Sequence, residues 1–435
     1  MKRKIDDTLV RWQHDKSRKP LVLIGARQTG KTTSVLSFGA THYDNVVHID
    51  FVKQPLYKTA FEPSIDPTSI ITDLEALLRQ DIDTGTTLLF LDEIQECDRA
   101  IASLKYFCQD MPTLDVIAAG SLLGVHVARN ESFPVGYVDL RTMHPMDFEE
   151  FCWACNEQRA FELVRTALQA VEPCAVHDRM MDLYLNYLLT GGMPEAVLAH
   201  AGGKQLDDIR KIQSDIRTAY IADMAKYIAH TDSAKIIATW ESIPNQLAKE
   251  SGSTKFMWKY VASGANAQRY ATAVDWLTAA GLVDRYTQVS AGLRPLKSFE
   301  IPASFKLYMA DVGLLTSAYD ALPQDFGQVD HRTARFRGGV AENYVSQQLR
   351  AAELEAYYWG QQSAYEVEFV TCIDGKVVPI EVKSGRRIRS TSAQRFAEKY
   401  DCPTIIRISA KNFGRSEQVL SIPLYAACLV PEIRL

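Results

Sequence analysis

The residues with the clearest chemical meaning form a glycine-rich segment near the start of the chain. It consists of Gly25, Ala26, Arg27, Gln28, Thr29, Gly30, Lys31, Thr32 and Thr33. An apolar run at residues 21–24 precedes it, and a helix-compatible run follows. Glycines let the backbone fold around a ligand so that successive N–H groups point at phosphate oxygens. Lys31, placed in a solvent-facing loop, would reach the β- and γ-phosphates, and Thr32 would hold Mg²⁺. This pattern predicts a P-loop that binds ATP, against the alternative of a simple glycine turn.

Two further segments carry polar residues at the ends of apolar runs. Residues 88–91 are apolar and are followed by Asp92 and Glu93, the pattern of a Walker B strand. Asp92 would accept the water ligands of Mg²⁺, and Glu93 would polarise the attacking water as a general base. Residues 114–119 lead into Gly120 and Ser121, and Ser121 is predicted to sense the γ-phosphate. The alternatives are an exposed acidic turn and a plain turn serine.

Length and composition indicate an ordinary multidomain protein. The 435 residues exceed the usual size of a single core, so two to four domains are expected. The formal charge of −5 excludes a globally basic nucleic-acid coat. Eight scattered cysteines, no signal-peptide core and no long apolar stretch indicate a cytoplasmic protein without membrane contact. Cys152 and Cys155 have metal-ligand spacing, but a helical run is the favoured interpretation.

The nucleotide motifs require a sheet that brings them together. Strands are predicted at residues 21–24, 46–51, 88–91, 114–119 and 136–140, with helices near 68–80 and 99–110 between them. Strands that alternate with helices indicate a parallel sheet covered on both faces, the α/β class. Ligands bind such sheets at the carboxyl ends of the strands, where all three motifs fall. Residues 1–145 are therefore predicted to form a P-loop NTPase domain.

The sequence pattern in the middle of the chain is typical of helices. Residues 146–230 are predicted to form a helical lid region, and residues 231–330 a winged-helix-like region. In the latter, helices near 236–250, 255–262 and 266–280 precede a short strand at 281–286, which would be a small wing. One interpretation places Asn266, Gln268 and Arg269 in a DNA groove. The other is a packing lid on the ATPase core, and both remain open at this point.

The last part of the chain, residues 331–435, carries a second set of charged residues. Glu342 lies in a helical stretch, Glu368 in a predicted strand at 365–370, and Glu381 and Lys383 in another at 377–384. Residues two apart in a strand project to the same side, and carboxylates beside such a Glu-x-Lys pair can hold a divalent ion. The arrangement resembles the PD-(D/E)xK nuclease core, a restriction-endonuclease-like α/β fold. The alternative is an exposed salt bridge. A basic run at 386–389 beside it would contact phosphates or form a solvated loop.

These segments together resemble a family of bacterial and archaeal AAA-like ATPases that carry a C-terminal domain of unknown function. The segments that carry the resemblance are residues 25–33, 91–95, 119–121, 144–151, 191–196, 305–315 and 379–385. Relatives usually have Asp where this chain has Glu368, and the longer side chain disturbs octahedral Mg²⁺ geometry. Many relatives have Arg or Lys where this chain has Tyr137, which weakens the case for an arginine finger there. Arg129 and Arg141 are the remaining candidates.

Three functions are consistent with this sequence. The first is an ATPase that couples hydrolysis to domain movement on a partner, either DNA or a protein, with an oligomer possible. The second is an ATP-regulated nuclease, and the third is a slow nucleotide-dependent scaffold or switch. Glu93 beside Asp92 favours hydrolysis over a binding switch. Glu368 and the acidic overall charge argue against a competent nuclease, so the ATPase is the favoured prediction.

Overall fold

The computed structural model describes two compact units. Described are residues 1–121, 123–125, 133–226, 230–248, 253–327, 334–361, 365–385 and 391–435. The first unit is Met1–His144 with Ala279–Gly281, and the second is Pro145–Thr278 with Leu282–Leu435. Among these residues no helix combines the length and apolar character that a membrane crossing needs. The finer division into four segments remains a prediction.

As far as it is described, the first unit is built on a five-stranded parallel sheet in the order β2-β3-β4-β1-β5. Its strands are β1 (Leu21–Ile24), β2 (Asn45–Asp50), β3 (Thr87–Asp92), β4 (Asp115–Gly120) and β5 (Asp139–Thr142). Its helices are α1 (Lys4–His14), α2 (Lys31–His42), α3 (Pro67–Leu78) and α4 (Asp98–Asp110), with 3₁₀ turns at Pro55–Phe61 and Ile94–Glu96. The predicted α/β sheet of a P-loop NTPase is confirmed.

Alternation along the strands explains why helices cover both faces of this sheet. Leu21 and Leu23 pack into one apolar cluster with α1 and α2, whereas Val22 packs into the opposite cluster with α3 and α4. Because side chains alternate across a strand, a parallel strand that is apolar at every position must be covered on both sides. Every residue of β3 is buried, down to Asp92 at its carboxyl end.

The second unit begins with helices and carries further helices between its strands. Its helices are α5 (Phe148–Ala154), α6 (Gln158–Ala170), α7 (His177–Thr190), α8 (Pro194–Ala201), α9 (Leu206–Lys226), α10 (His230–Leu247), α11 (Ala267–Ala279), α12 (Val312–Ala318), α13 (Pro323–Gly327), α14 (Ala334–Ala351) and α15 (Ser392–Tyr400). Three 3₁₀ helices lie at Trp258–Tyr260, Leu296–Phe299 and Leu424–Glu432.

A mixed sheet, eight-stranded in the described residues, forms the rest of this unit, in the order β12-β13-β11-β10-β9-β8-β6-β7. Its strands are β6 (Val283–Val289), β7 (Glu300–Met309), β8 (Ala356–Gln361), β9 (Tyr365–Ile373), β10 (Lys376–Val382), β11 (Ile405–Ser409), β12 (Gly414–Ser416) and β13 (Val419–Pro423). The winged-helix interpretation remains a prediction. The strand predicted as a wing, β6, pairs antiparallel with β7 from Val283 to Val289. It also pairs with β8 at Gln288 and Val289, where both strands bury apolar side chains in the same core.

Two of the segments that carry the family resemblance, residues 191–196 and 305–315, meet at the buried carboxylate of Asp311. This residue caps α12 by accepting from the Leu314 N–H at 2.9 Å, and it accepts from the Gly192 N–H at 2.6 Å and from Gln347 at 3.3 Å. Burial raises the pKa of Asp311 to about 6 despite these donors. The segments around residues 191 and 311 therefore hold helices together in the second unit.

Candidate functional site

The P-loop connects β1 to α2, and its glycines have steric reasons. Gly25 has φ of +141°, and a Cβ there would lie 2.2 Å from the Met143 carbonyl oxygen. Gly30 has φ of +93° and precedes Lys31, the first residue of α2. Gln28 has φ of +64° and an exposed side chain. The backbone between β1 and α2 thus takes the left-handed turns that a phosphate-wrapping loop requires.

Lys31 does not face solvent, contrary to the prediction. Its side chain is 7% exposed, and its ammonium donates to the carbonyl oxygens of Gly25 at 2.9 Å and Ala26 at 2.8 Å. Burial lowers the pKa of Lys31 to about 8, although Glu93 and Asp92 act in the opposite direction. The expectation failed because the loop folds back over the first turn of α2 and encloses the side chain.

The predicted magnesium ligands lie side by side. The Thr32 hydroxyl donates to Asp92 Oδ2 at 2.8 Å, and Asp92 is 4% exposed at the end of β3. Two hard oxygen donors at this distance suit the small Mg²⁺ ion, so these residues fit the metal that the motifs imply. His48 on the neighbouring β2 also contacts Asp92, with Nε2 3.3 Å from Oδ2.

The remaining P-loop residues divide between inward and outward positions. Thr29 is buried and donates its hydroxyl to the Ala26 carbonyl oxygen at 2.9 Å, which closes the loop from within. Thr33 is exposed in the first turn of α2. Arg27 is half-buried, and its Nε donates to Ser121 Oγ at 3.3 Å. Ser121, at the end of β4, therefore lies beside the P-loop as predicted for a phosphate sensor, a role that remains a prediction.

The proposed general base, Glu93, lies in a polar network that includes a residue missed in the sequence. Gln95 donates its amide to Glu93 Oε2 at 2.6 Å, and Ser121 donates to the same oxygen at 3.3 Å. Glu93 has φ of +50°, so the chain turns sharply after β3 and returns Gln95 towards it. A Cβ at residue 120 would lie 2.2 Å from Gln95 Oε1, which explains the glycine that precedes Ser121.

A second residue missed in the sequence is Arg3, whose side chain is buried beneath the P-loop. Its guanidinium donates to the Thr29 carbonyl oxygen at 2.8 Å and to the His144 carbonyl oxygen at 2.9 Å. The partners are 26 and 141 residues away along the chain, so no local pattern could have indicated them. Arg3 therefore fixes the backbone of the loop immediately before Gly30.

The arginine-finger candidates gain no support. Arg141 is exposed on β5 and donates to the neighbouring Leu140 carbonyl oxygen at 2.9 Å. Arg129 lies outside the described residues. Tyr137 instead receives the Lys105 ammonium over its ring at 5.3 Å.

The C-terminal charged residues come together in the second unit. Lys383 contacts Glu368 at 3.0 Å and Glu381 at 3.3 Å, and Glu381 also pairs with Arg407 at 2.8 Å. Glu342 accepts instead from Lys306, a lysine that is fully buried on β7, at 3.4 Å. Among the described residues no group of three or more His, Cys, Asp or Glu side chains is arranged to hold a metal ion. The basic run at 386–389 lies outside the described residues.

Burial controls the protonation of these groups. It raises the pKa of Glu368 to about 7, against the opposing charge of Lys383. Burial disfavours the charge of Lys306, but the carboxylates of Glu342 and Glu366 outweigh it and raise the pKa of that lysine well above its usual value. Burial also raises the thiol pKa values of Cys152 and Cys155.

The predicted DNA-reading residues lie at the start of α11. Asn266, Gln268 and Arg269 are exposed, and Asn266 caps the helix by accepting from the Arg269 N–H at 3.2 Å. Two other basic residues of this region are engaged within the protein. Arg285 contacts Asp275 at 3.3 Å and lies over the Phe305 ring, and Arg294 donates to the Gly375 carbonyl oxygen at 2.7 Å.

Family comparisons divide the chain into three matched stretches. Residues 17–152 match a family described as an AAA domain. Residues 181–325 match a domain of unknown function (DUF8612), and residues 337–425 match another domain of unknown function (DUF4143). None of the curated proteins matches the sequence significantly. The AAA match and the parallel sheet define the N-terminal part of the chain as an AAA-like P-loop ATPase domain.

Similar solved structures share little sequence with this chain. A Walker-type ATPase of Pyrococcus abyssi is 12% identical, covering 73% of this chain and 95% of that one, with a TM-score of 0.45. Drosophila ORC bound to DNA is 14% identical over 72% and 93%, with a TM-score of 0.30. The Aeropyrum pernix ORC1 protein in complex with DNA is 9% identical over 73% and 90%, with a TM-score of 0.28.

Proposed function

We propose that this protein binds ATP with Mg²⁺, hydrolyses it, and couples the hydrolysis to domain rearrangement on a partner. The observation that carries the proposal is the meeting of three motifs at the carboxyl edge of one sheet. Lys31 and Thr32 follow β1, Asp92 and Glu93 lie at the end of β3, and Ser121 follows β4. All three positions are at the edge where parallel sheets bind their ligands.

Each residue has a distinct chemical role in this proposal. The N–H groups of the P-loop and the start of α2 bind phosphate oxygens, and Lys31 exchanges its two carbonyl partners for the β- and γ-phosphates. Thr32 and Asp92 would hold Mg²⁺, which neutralises phosphate charge when bound. Glu93 takes a proton from the attacking water, and Ser121 lies within hydrogen-bond distance of that base.

A matched pair of variants tests the chemistry. Glu93→Gln keeps the hydrogen-bonding shape but removes the base, so ATP should still bind while phosphate release falls about 100-fold or more. Asp92→Asn should instead weaken the Mg²⁺-dependent part of ATP binding. Calorimetry and phosphate-release assays distinguish the two outcomes. Hydrolysis by Glu93→Gln at the wild-type rate would exclude Glu93 as the base.

The proposed partner is DNA, with a protein as the alternative. The supporting observation is a strip of exposed side chains before and within the start of α11, formed by Met257, Lys259, Tyr260, Gln268 and Arg269. Cations bind phosphates, and an exposed aromatic ring provides a stacking surface for bases. The mild positive charge of this strip supports a modest affinity rather than a tight complex.

A further inference from the structure

One of the predicted nuclease-like residues, Glu342, contacts a buried lysine that the sequence motif did not include. Lys306 lies on β7 with no exposed surface, and its ammonium is 2.7 Å from Glu366 Oε1 and 3.4 Å from Glu342 Oε2. The ring of Tyr358 also lies 5.2 Å from this ammonium. Two carboxylates, one from α14 and one from β9, therefore converge on one internal cation.

Three carboxylate oxygens of Glu342 and Glu366 are already engaged with protein donors. Glu342 Oε2 accepts from Thr254 at 2.7 Å and from Tyr308 at 3.0 Å, as well as from Lys306. Glu366 Oε2 accepts from Ser253 at 2.5 Å. A carboxylate whose lone pairs accept hydrogen bonds has to release its donors before it can bind a metal.

The other half of the cluster is satisfied in the same way. Glu368 accepts from Lys383 through Oε1 and from the Val382 N–H through Oε2, at 3.0 and 3.4 Å. Glu381 pairs with Lys383 through Oε1 and with Arg407 through Oε2, at 3.3 and 2.8 Å. The carboxylates thus face three cations rather than one common point: Lys306, which is fully buried, and Lys383 and Arg407, which are partly exposed.

A divalent ion would have to displace this arrangement. Mg²⁺ needs near-octahedral oxygen ligands at about 2.1 Å, directed at a single centre. An ammonium that is buried between two of the carboxylates repels such an ion and occupies the space it would need. The residues present therefore do not fit the metal that the nuclease resemblance implies.

We infer that the Lys306 ammonium takes the place of a divalent cation in the carboxylate cluster of the second unit, so that the nuclease-like core is filled by the protein itself and binds neither Mg²⁺ nor Mn²⁺. The cluster then acts as an internal ionic junction that fixes β7 to β9 and α14. This inference is independent of the proposed ATPase activity, because none of its residues belongs to the P-loop unit.

The test is a titration of the whole chain with Mn²⁺ in the absence of nucleotide. The electron paramagnetic resonance signal of free Mn²⁺ is measured at each addition, so that bound Mn²⁺ appears as a loss of signal. An Asp92→Asn background removes the carboxylate proposed for the ATP-bound metal. In that background the wild-type cluster should leave the free-Mn²⁺ signal unchanged. Lys306→Met, which keeps the length and removes the charge, should lower the signal by binding Mn²⁺, and adding Glu342→Gln should abolish that gain.

Lys376→Met is the matched control, because Lys376 is exposed at the start of β10, and it should gain no Mn²⁺ binding. Saturable Mn²⁺ binding by the unaltered cluster that disappears in Glu381→Gln would overturn the inference. A folded Lys306→Met variant that gains no binding would also overturn it, where folding is shown by a circular dichroism spectrum unchanged from that of the Asp92→Asn parent. If Lys306→Met does not fold, the titration of the unaltered cluster by itself tests whether the cluster binds Mn²⁺. Plasmid cleavage in Mn²⁺ that is lost in Lys383→Ala would also refute it.

Discussion

Replacing Lys31 by methionine should separate ATP binding from stability. Lys31 is enclosed by the P-loop, where burial lowers its pKa from 10.5 to about 8. A lysine whose pKa is lower in the folded than in the unfolded state binds its proton less tightly when folded. Keeping it charged therefore costs folding free energy below pH 8, and the cost disappears as the pH rises above 10.5.

The size of the effect follows from the two pKa values. At about 1.4 kcal/mol for each pKa unit, the penalty is about 3 kcal/mol at pH 7 and about 1.5 kcal/mol at pH 9.5. Lys31→Met also leaves the Gly25 and Ala26 carbonyl oxygens without this donor, which costs about 1–2 kcal/mol. The variant should therefore be more stable than the wild type by about 1–2 kcal/mol at pH 7, and about equally stable at pH 9.5.

The assay is hydrogen exchange of the β1 and β4 amides in increasing denaturant without nucleotide, which reports the unfolding free energy of the first unit. Lys16→Met, at an exposed position, is the control. It should leave the unfolding free energy unchanged at both pH 7 and pH 9.5. ATP affinity measured by calorimetry should fall about 10- to 100-fold in Lys31→Met, because a charge-assisted phosphate contact is lost. The reasoning is refuted if the variant is destabilised at pH 7, or if its stability relative to the wild type does not depend on pH.

Two other predictions concern Arg3, which supports the P-loop, and the proposed DNA partner. Arg3→Ala should weaken ATP binding about 10-fold, because the Thr29 carbonyl oxygen loses a charged donor, while Arg11→Ala on the exposed face of α1 should not. Calorimetry checks this, and equal affinities for both variants would exclude a role for Arg3 in the loop. If the α11 strip binds duplex DNA, fluorescence anisotropy should show affinity that falls steeply with salt, with the slope reduced by roughly one unit in Arg269→Ala. Binding that is insensitive to salt would favour the packing-lid interpretation.

The strands of the first unit were predictable because their signals are local. Apolar runs at residues 21–24 and 88–91 coincide closely with β1 and β3, since a buried parallel strand must be apolar on both faces. The fifth strand was predicted about three residues early. Its observed form, Asp139–Thr142, is an edge strand with exposed side chains, so its pattern carried little information.

Other features were not predictable from local patterns. Gln95 and Glu93 are only two residues apart, but their contact depends on the left-handed conformation of Glu93, a residue type that does not favour it. Further contacts depend on residues that are distant in the sequence. Arg3 supports a loop 26 residues away. Similarly, the pairing of β6 with β8 was not predicted, because the paired residues of β8 lie about 70 residues further along the chain.

The sequence by itself determined the chemistry of the nucleotide motifs and the class of the sheet that carries them, since spacing and apolar runs express local backbone geometry. Only the tertiary structure decided which charges meet in the interior. Glu368 and Glu381 meet at Lys383, whereas Glu342 contacts Lys306, which lies on β7, 36 residues before Glu342. A buried carboxylate is stable only with a partner, and the fold supplies that partner from a strand whose sequence gives no sign of it.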